Sequence, residues 1–156
     1  MTNYLLLALL LVSQSAFAQL PPETGPKKVR LKKTPPGMCV PSKLVIEPYG
    51  GNQDEKEPRC SVTKEELTEM LNNELAFLKK NPDFKGRGMV SVLINCEGKA
   101  IGWADVVDRN KALNEEILAF LIKQHFEWEP GYYKDEAIDC LFSFSYQVVR
   151  GVLRLN

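Results

Sequence analysis

Four cysteines, one histidine and one cluster of carboxylates are the groups in this chain whose types and spacing could do chemistry. Cys39, Cys60, Cys96 and Cys140 are even in number and widely spaced, with no C-x-x-C pair among them. That pattern suits disulfides in an oxidising compartment better than a zinc site, which draws ligands from close pairs. His125, the only histidine, has no ligand pattern around it and reads as a surface residue compatible with the negative end of a helix dipole. Asp135, Glu136 and Asp139 could split their pKa values as an acid and a base, yet they fall on a turn and a strand start, where solvated carboxylates are ordinary. There is no P-loop and no G-x-S-x-G elbow, and Gly86-Arg87-Gly88 is too short to cradle a phosphate. The chain therefore reads as a non-enzymatic one, with no cofactor and no metal.

The first residues say where such cysteines would be oxidised. Residues 5–12 are all apolar, and Ala16-Phe17-Ala18 has the small-x-small form that signal peptidase reads, so residues 1–18 are expected to be a cleaved signal peptide ahead of Gln19. The apolar run is far shorter than the roughly 20 residues of a spanning helix, although Met1-Thr2-Asn3 lacks the usual Lys or Arg. The expected location is the periplasm or cell envelope. The rest of the 156-residue chain is the size of one domain, and its zero formal charge gives no global attraction to nucleic acid or membrane.

Residues 19–60 hold Pro21, Pro22, Pro26, Pro35, Pro36, Pro41 and Pro48 around the basic run Lys27-Lys28-Val29-Arg30-Leu31-Lys32-Lys33. This composition predicts an extended, solvated tether with no core of its own. A sharper reading is a basic arm in weak contact with anionic envelope material. Residues 50–55 read as a loop, and residues 43–47 as at most a short strand.

Regular structure is expected over residues 61–156. Thr63-Lys64-Glu65-Glu66 has capping-box form, and Leu67, Met70, Leu71, Leu75 and Leu78 follow at helical spacing until Asn81-Pro82 stops the helix. Residues 89–94 alternate as a strand, Glu97-Gly98 signals a hairpin, and residues 100–107 return. A second helix spans 111–124 through Leu113, Ile117, Phe120 and Leu121, and a last strand spans 137–149. The fold class is α+β: order α-β-β-α-β, a three-stranded antiparallel sheet of order 2-1-3, and both helices on one face. Setting Cys140 opposite Cys96 places Phe142 on Ile94, Phe144 on Val92 and Tyr146 on Val90, apolar on apolar, while Ile101 falls opposite Ile94 and Trp103 opposite Val92. That register selects Cys96–Cys140 and leaves Cys39–Cys60 as the second bridge.

The stretch from Gly88 through Val90-Ser91-Val92-Leu93-Ile94-Asn95-Cys96-Glu97-Gly98-Lys99-Ala100, the helix after it, then Phe126-Glu127-Trp128-Glu129-Pro130-Gly131 and Phe142-Ser143-Phe144 resemble the C-terminal domain of TonB energy transducers. The aromatic-x-Pro-Gly element is the most specific part, and the resemblance covers residues 61–156. It implies a periplasmic domain that binds an extended segment of an outer-membrane transporter by adding it as a strand, in or accessory to TonB-dependent transmembrane transport. A complete transducer of that kind keeps its N-terminal membrane helix and has a long Pro-rich spacer. A cleavable leader and a short tether point instead to a stand-alone exported version. An unrelated secreted binder or inhibitor of the same α+β build is the other reading.

In the order 2-1-3 the last strand has one neighbour, so its outer edge, carrying Leu141, Ser143, Ser145, Gln147 and Val149, is the expected peptide-binding edge. Residues 141–149 contain no charge and no proline to blunt that edge. It is therefore either used by a partner or covered by the chain's own residues 152–155 or 43–47.

Overall fold

In a computed structural model of the chain, residues 26–48, 53–103 and 110–156 are described. The expected signal, the first part of the tether, the first half of the loop at 50–55 and the end of the expected second strand lie outside the described residues. The elements run β1 Lys27–Arg30, β2 Leu44–Glu47, β3 Glu55–Lys56, β4 Arg59–Cys60, α1 Lys64–Glu74, α2 Ala76–Lys80, β5 Gly86–Ile94 and β6 Ala100–Trp103. They continue with α3 Lys111–Lys123, β7 Trp128–Glu129, β8 Gly131–Tyr133, β9 Glu136–Ile138, β10 Cys140–Val149 and β11 Val152–Leu155. The fold is α+β, but the sheet is larger than three strands and three helices accompany it.

Thr63 and Glu66 close the capping box at the start of α1. The Glu66 N–H donates to the Thr63 hydroxyl at 3.2 Å and the Thr63 N–H donates to the Glu66 carboxylate at 2.8 Å. The Thr63 N–H and the Thr63 hydroxyl, both donating to it, hold the exposed Glu66 carboxyl below its ordinary pKa. The apolar stripe continues to Leu78, yet the helix breaks at Leu75, whose ψ of 114° is extended. The cause is tertiary. Glu116 of α3 accepts from the Ala76 and Phe77 N–H groups at 2.6 and 2.8 Å, capping α2 from outside its own segment.

The main sheet has the order β1-β2-β10-β5-β6, with β11 also on β10. Its centre is the long antiparallel pair of β5 and β10, which sets Cys140 on Ile94, Phe142 on Val92, Phe144 on Val90 and Tyr146 on Gly88. This corrects the expected register by two residues. A two-residue slide returns every side chain to its own face, so matching apolar to apolar cannot detect it. The β5–β6 pair keeps Val92 opposite Trp103, but a bulge puts Ala100 opposite Ile94 and turns Ile101 to the other face.

One face carries the main core. Val90, Val92, Ile94, Phe144, Tyr146, Val148, Leu153 and Leu155 meet Leu67, Leu71 and Leu75 beside α1, Leu78 of α2 and Leu113, Ile117 and Leu121 of α3. Within it the Tyr146 hydroxyl donates to Asn114 at 2.5 Å, and the Asn114 amide donates to the Met89 carbonyl at 3.2 Å. Three polar groups are thereby satisfied without water. The opposite face is not simply wet. Leu31, Val45, Leu93 and Leu141 form a second buried cluster with Val29, Met38 and Ile101 against it, so residues 27–48 pack on the sheet instead of forming a solvated tether. Val29, Leu31 and Val45 give this Pro-rich stretch just enough apolar surface to dock.

Candidate functional site

The site expected from sequence is the outer edge of β10. There β2 meets Cys140 through Ile46, and β11 pairs with Tyr146, Gln147, Val148 and Val149. Between them the Ser143 hydroxyl donates to Glu47 at 2.6 Å, and the Asn156 N–H donates to the Ser145 carbonyl at 2.9 Å. The chain's own segments therefore occupy the expected edge at its two ends, β2 at Cys140 and β11 with Asn156 from Ser145 through Gln147 to Val149, so both of the candidate covering segments take part, while at Ser143 it is the side chain that is tied to β2 and Leu141 lies next to the β2 bridge. The β11 strand follows a two-residue turn in which Arg150 and Gly151 have φ of 52° and 72°. A Cβ on Gly151 would lie 2.6 Å from the Pro82 carbonyl oxygen.

The new outer strand on that flank is blocked in turn. The Leu153 N–H donates to Asn72 Oδ1 at 2.8 Å and the Leu153 carbonyl accepts from Asn72 Nδ2 at 2.9 Å. The Asn72 amide occupies both outward backbone groups of Leu153, which an incoming strand would need. At the far end of the order, β1 carries the exposed Lys28 and Arg30, a charged edge of the kind that discourages pairing.

The cysteines pair differently from expectation. The bridge is Cys39–Cys96, with Cα atoms 6.0 Å apart, while Cys60 and Cys140 are free thiols, so neither Cys96–Cys140 nor Cys39–Cys60 forms. The register explains it, because Cys140 sits opposite Ile94 and Cys96 lies beyond the strand in the turn. Burial pushes the Cys140 thiol up to about 12, the negative charge of Asp139 adding to it, and burial also raises the half-buried Cys60. Asp139, one of the carboxylates with conceivable chemistry, is structural. It interrupts the expected last strand and accepts from the N–H groups of Cys39, Val40 and Cys96 at 3.1, 2.9 and 3.1 Å. Its carboxylate and the two bridged sulfurs lie within 4.8 Å of one another, but the sulfurs are spent on each other and the carboxylate on amides. Asp135 stands on the exposed turn between β8 and β9, and Glu136 on exposed β9, so the three carboxylates do not converge on one point.

The remaining edge is that of β6. The Asn95 N–H donates to the Lys99 carbonyl at 2.9 Å and the Gly98 N–H to the Asn95 carbonyl at 2.9 Å, a turn with Gly98 in the left-handed region at φ 74°. Asn95 Oδ1 accepts from the N–H groups of Glu97 and Lys99, and its Nδ2 donates to the Gly37 carbonyl, tying the turn to the packed N-terminal segment. By the alternation of an antiparallel ladder, the Ile94–Ala100 pair that follows is the unbonded kind, so Ala100 turns its N–H and C=O outward. Past the bulge, Trp103 opposite Val92 does the same with its backbone groups. No strand pairs with this edge among the described residues.

Alongside it lies an open groove of about 620 Å³. Ile122, Phe126 and Trp128 give it an apolar lining, and Glu97, Lys99, His125 and Glu127 stand exposed around it. Trp128 is 6% exposed and packs edge-on against Phe142 at 5.3 Å, yet its indole N–H is buried with no acceptor among the described residues. Such an unmet donor costs about 1–3 kcal/mol. His125 ends α3 in the left-handed region at φ 50°, a position that usually falls to glycine. Lys99 bonds Glu97 at 2.7 Å and with its charge holds that carboxyl below its ordinary pKa, whereas Glu127 has no cationic partner among the described residues. Sequence reasoning missed this groove. The aromatic-x-Pro-Gly element marked its wall at Phe126 and Trp128, but their relation to β6 exists only in the fold.

Family models, curated proteins and solved structures were all compared with this chain, and none of the three comparisons returned a match.

Proposed function

We propose that the mature chain is an exported cell-envelope domain that binds a partner protein by taking an extended segment of it as an added strand on the outer edge of β6. The observation that carries this reading is the contrast among the edges. β10 is occupied at both ends, β11 is plugged by Asn72 at Leu153 and β1 is basic, while β6 has outward backbone groups beside an apolar-lined groove. An unprotected edge is a template for pairing, and main-chain bonds supply affinity in that mode. The apolar run at 5–12, the Ala16-Phe17-Ala18 site and an oxidised Cys39–Cys96 pair support export. The resemblance to TonB C-terminal domains favours a segment of an outer-membrane transporter as partner, in a role accessory to TonB-dependent transport. The β10 edge, where the expected order 2-1-3 put the added strand, is occupied at both ends, and this favours the second reading, a secreted binder of unrelated ancestry.

The test is amide exchange on the mature protein with extended peptides from transporter N-termini. The Ala100 and Trp103 amides should gain protection, and Ala100→Pro should abolish binding without unfolding, since the lost N–H serves no internal bond. No gain at those amides under saturation, or a gain confined to 140–149, sinks the β6 reading. Intact-mass measurement of protein from the envelope should show Gln19, free or cyclised, at the N-terminus.

A further inference from the structure

We infer that the groove beside β6 is a side-chain pocket that selects, within the added strand, an apolar residue with a Lys or Arg two positions away. The inference rests on strand addition at β6 and gives it a chemistry. Side chains of an added strand alternate across the sheet, so every second one points to the helix-covered side. There Ile122, Phe126 and Trp128 offer apolar surface next to the outward backbone of Ala100. One apolar side chain can leave water on them.

Charge supplies the second element. Of the groove's two acidic residues Glu97 is tied to Lys99, so Glu127 is the carboxylate without a cation among the described residues. Residues two apart on an added strand share a face, so a cation placed that way can meet Glu127 while its neighbour fills the apolar lining. The same cation is repelled by Lys28 and Arg30 on the β1 edge, so one charge both attracts to β6 and excludes the competing edge.

The probe is a short blocked peptide in which threonines alternate with Lys, Leu and Lys, compared with versions carrying Glu for Lys or Ser for Leu. Binding of the Lys-Leu-Lys peptide should exceed that of either alternative by about tenfold. Glu127→Gln, an exposed change that leaves the core untouched, should bring the Lys and Glu versions to within about twofold. Amide protection at Ala100 and Trp103 with equal affinity for all peptides would leave the edge reading standing and overturn the pocket. Absence of protection there with every peptide would overturn both. A preference for Lys that survives Glu127→Gln would also overturn the pocket as described.

Discussion

The two flanks of the sheet are built to opposite rules. On the β11 flank, the chain adds a strand of its own to β10 and then spends a side chain, Asn72, on sealing the new edge at Leu153. On the β6 flank, a four-residue strand ends the sheet, and the helix beyond it stops short enough to leave a groove lined by Phe126 and Trp128. Exposed strand edges are a hazard that native proteins manage. Among the described residues one flank is closed with a strand and a plug while no strand pairs on the other, and it is on that second flank that we propose binding.

Removing the bridge should have the largest effect on this contrast. Cys39 and Cys96 are separated by 57 positions, and a loop of that length corresponds to about 4 kcal/mol in the chain-entropy model. Replacing both by serine should lower stability in urea by about that amount. Amide exchange should rise first at residues 99–103 and in the packed residues 31–40, ahead of 152–155. Equal loosening of both flanks would mean that they form one cooperative unit and would break the contrast.

Gly98→Ala comes next. A Cβ there would lie 2.0 Å from the Trp128 carbonyl oxygen, and the backbone is already left-handed at φ 74°. Because the obstacle is backbone, the turn must move, and a loss of about 3 kcal/mol is expected. The change should distort the β6 edge and leave β11 intact, so exchange rates at Leu153 and Leu155 serve as the internal control.

Asn72→Leu tests the sealed flank and should cost about 2 kcal/mol, because it leaves the Leu153 N–H and C=O without their partner. It should also create a second open edge, read as concentration-dependent self-association in sedimentation velocity. A stable, monomeric variant would show that Asn72 is not what keeps β11 unpaired.

How far the sequence reached follows the same division. The helices, the β5–β6 turn and the capping box come from local signals, periodicity and a Gly at the right place, and these were legible. The register of β5 with β10 was not, since a period of two is blind to a two-residue slide, and the disulfide expectation fell with it. The break at Leu75 depends on Glu116, forty residues from the Ala76 that it caps, and the docking of residues 27–48 on apolar positions scattered among lysines and prolines. The β11 turn shows only half of the usual left-handed pair, Gly151, with Arg150 in the other place. The covered edge was therefore foreseeable as one of two outcomes, while the groove depends on residues from three segments that only the fold assembles.

The smallest effect expected is a gain. His125 adopts the left-handed conformation at the end of α3, where a residue with a Cβ is strained by about 1–2 kcal/mol and glycine is not. Against this, glycine gives the unfolded chain more freedom, worth about 0.5–1 kcal/mol, so His125→Gly should stabilise the protein by about 0.5–1 kcal/mol in urea. The imidazole is exposed beside the groove, so its loss removes no packing from the core. If the histidine only ends a helix, the variant will be more stable and will bind the Lys-Leu-Lys peptide unchanged. If the strain is kept for the groove, stability will rise while affinity falls, and that opposition separates a binding flank from a merely unfinished one.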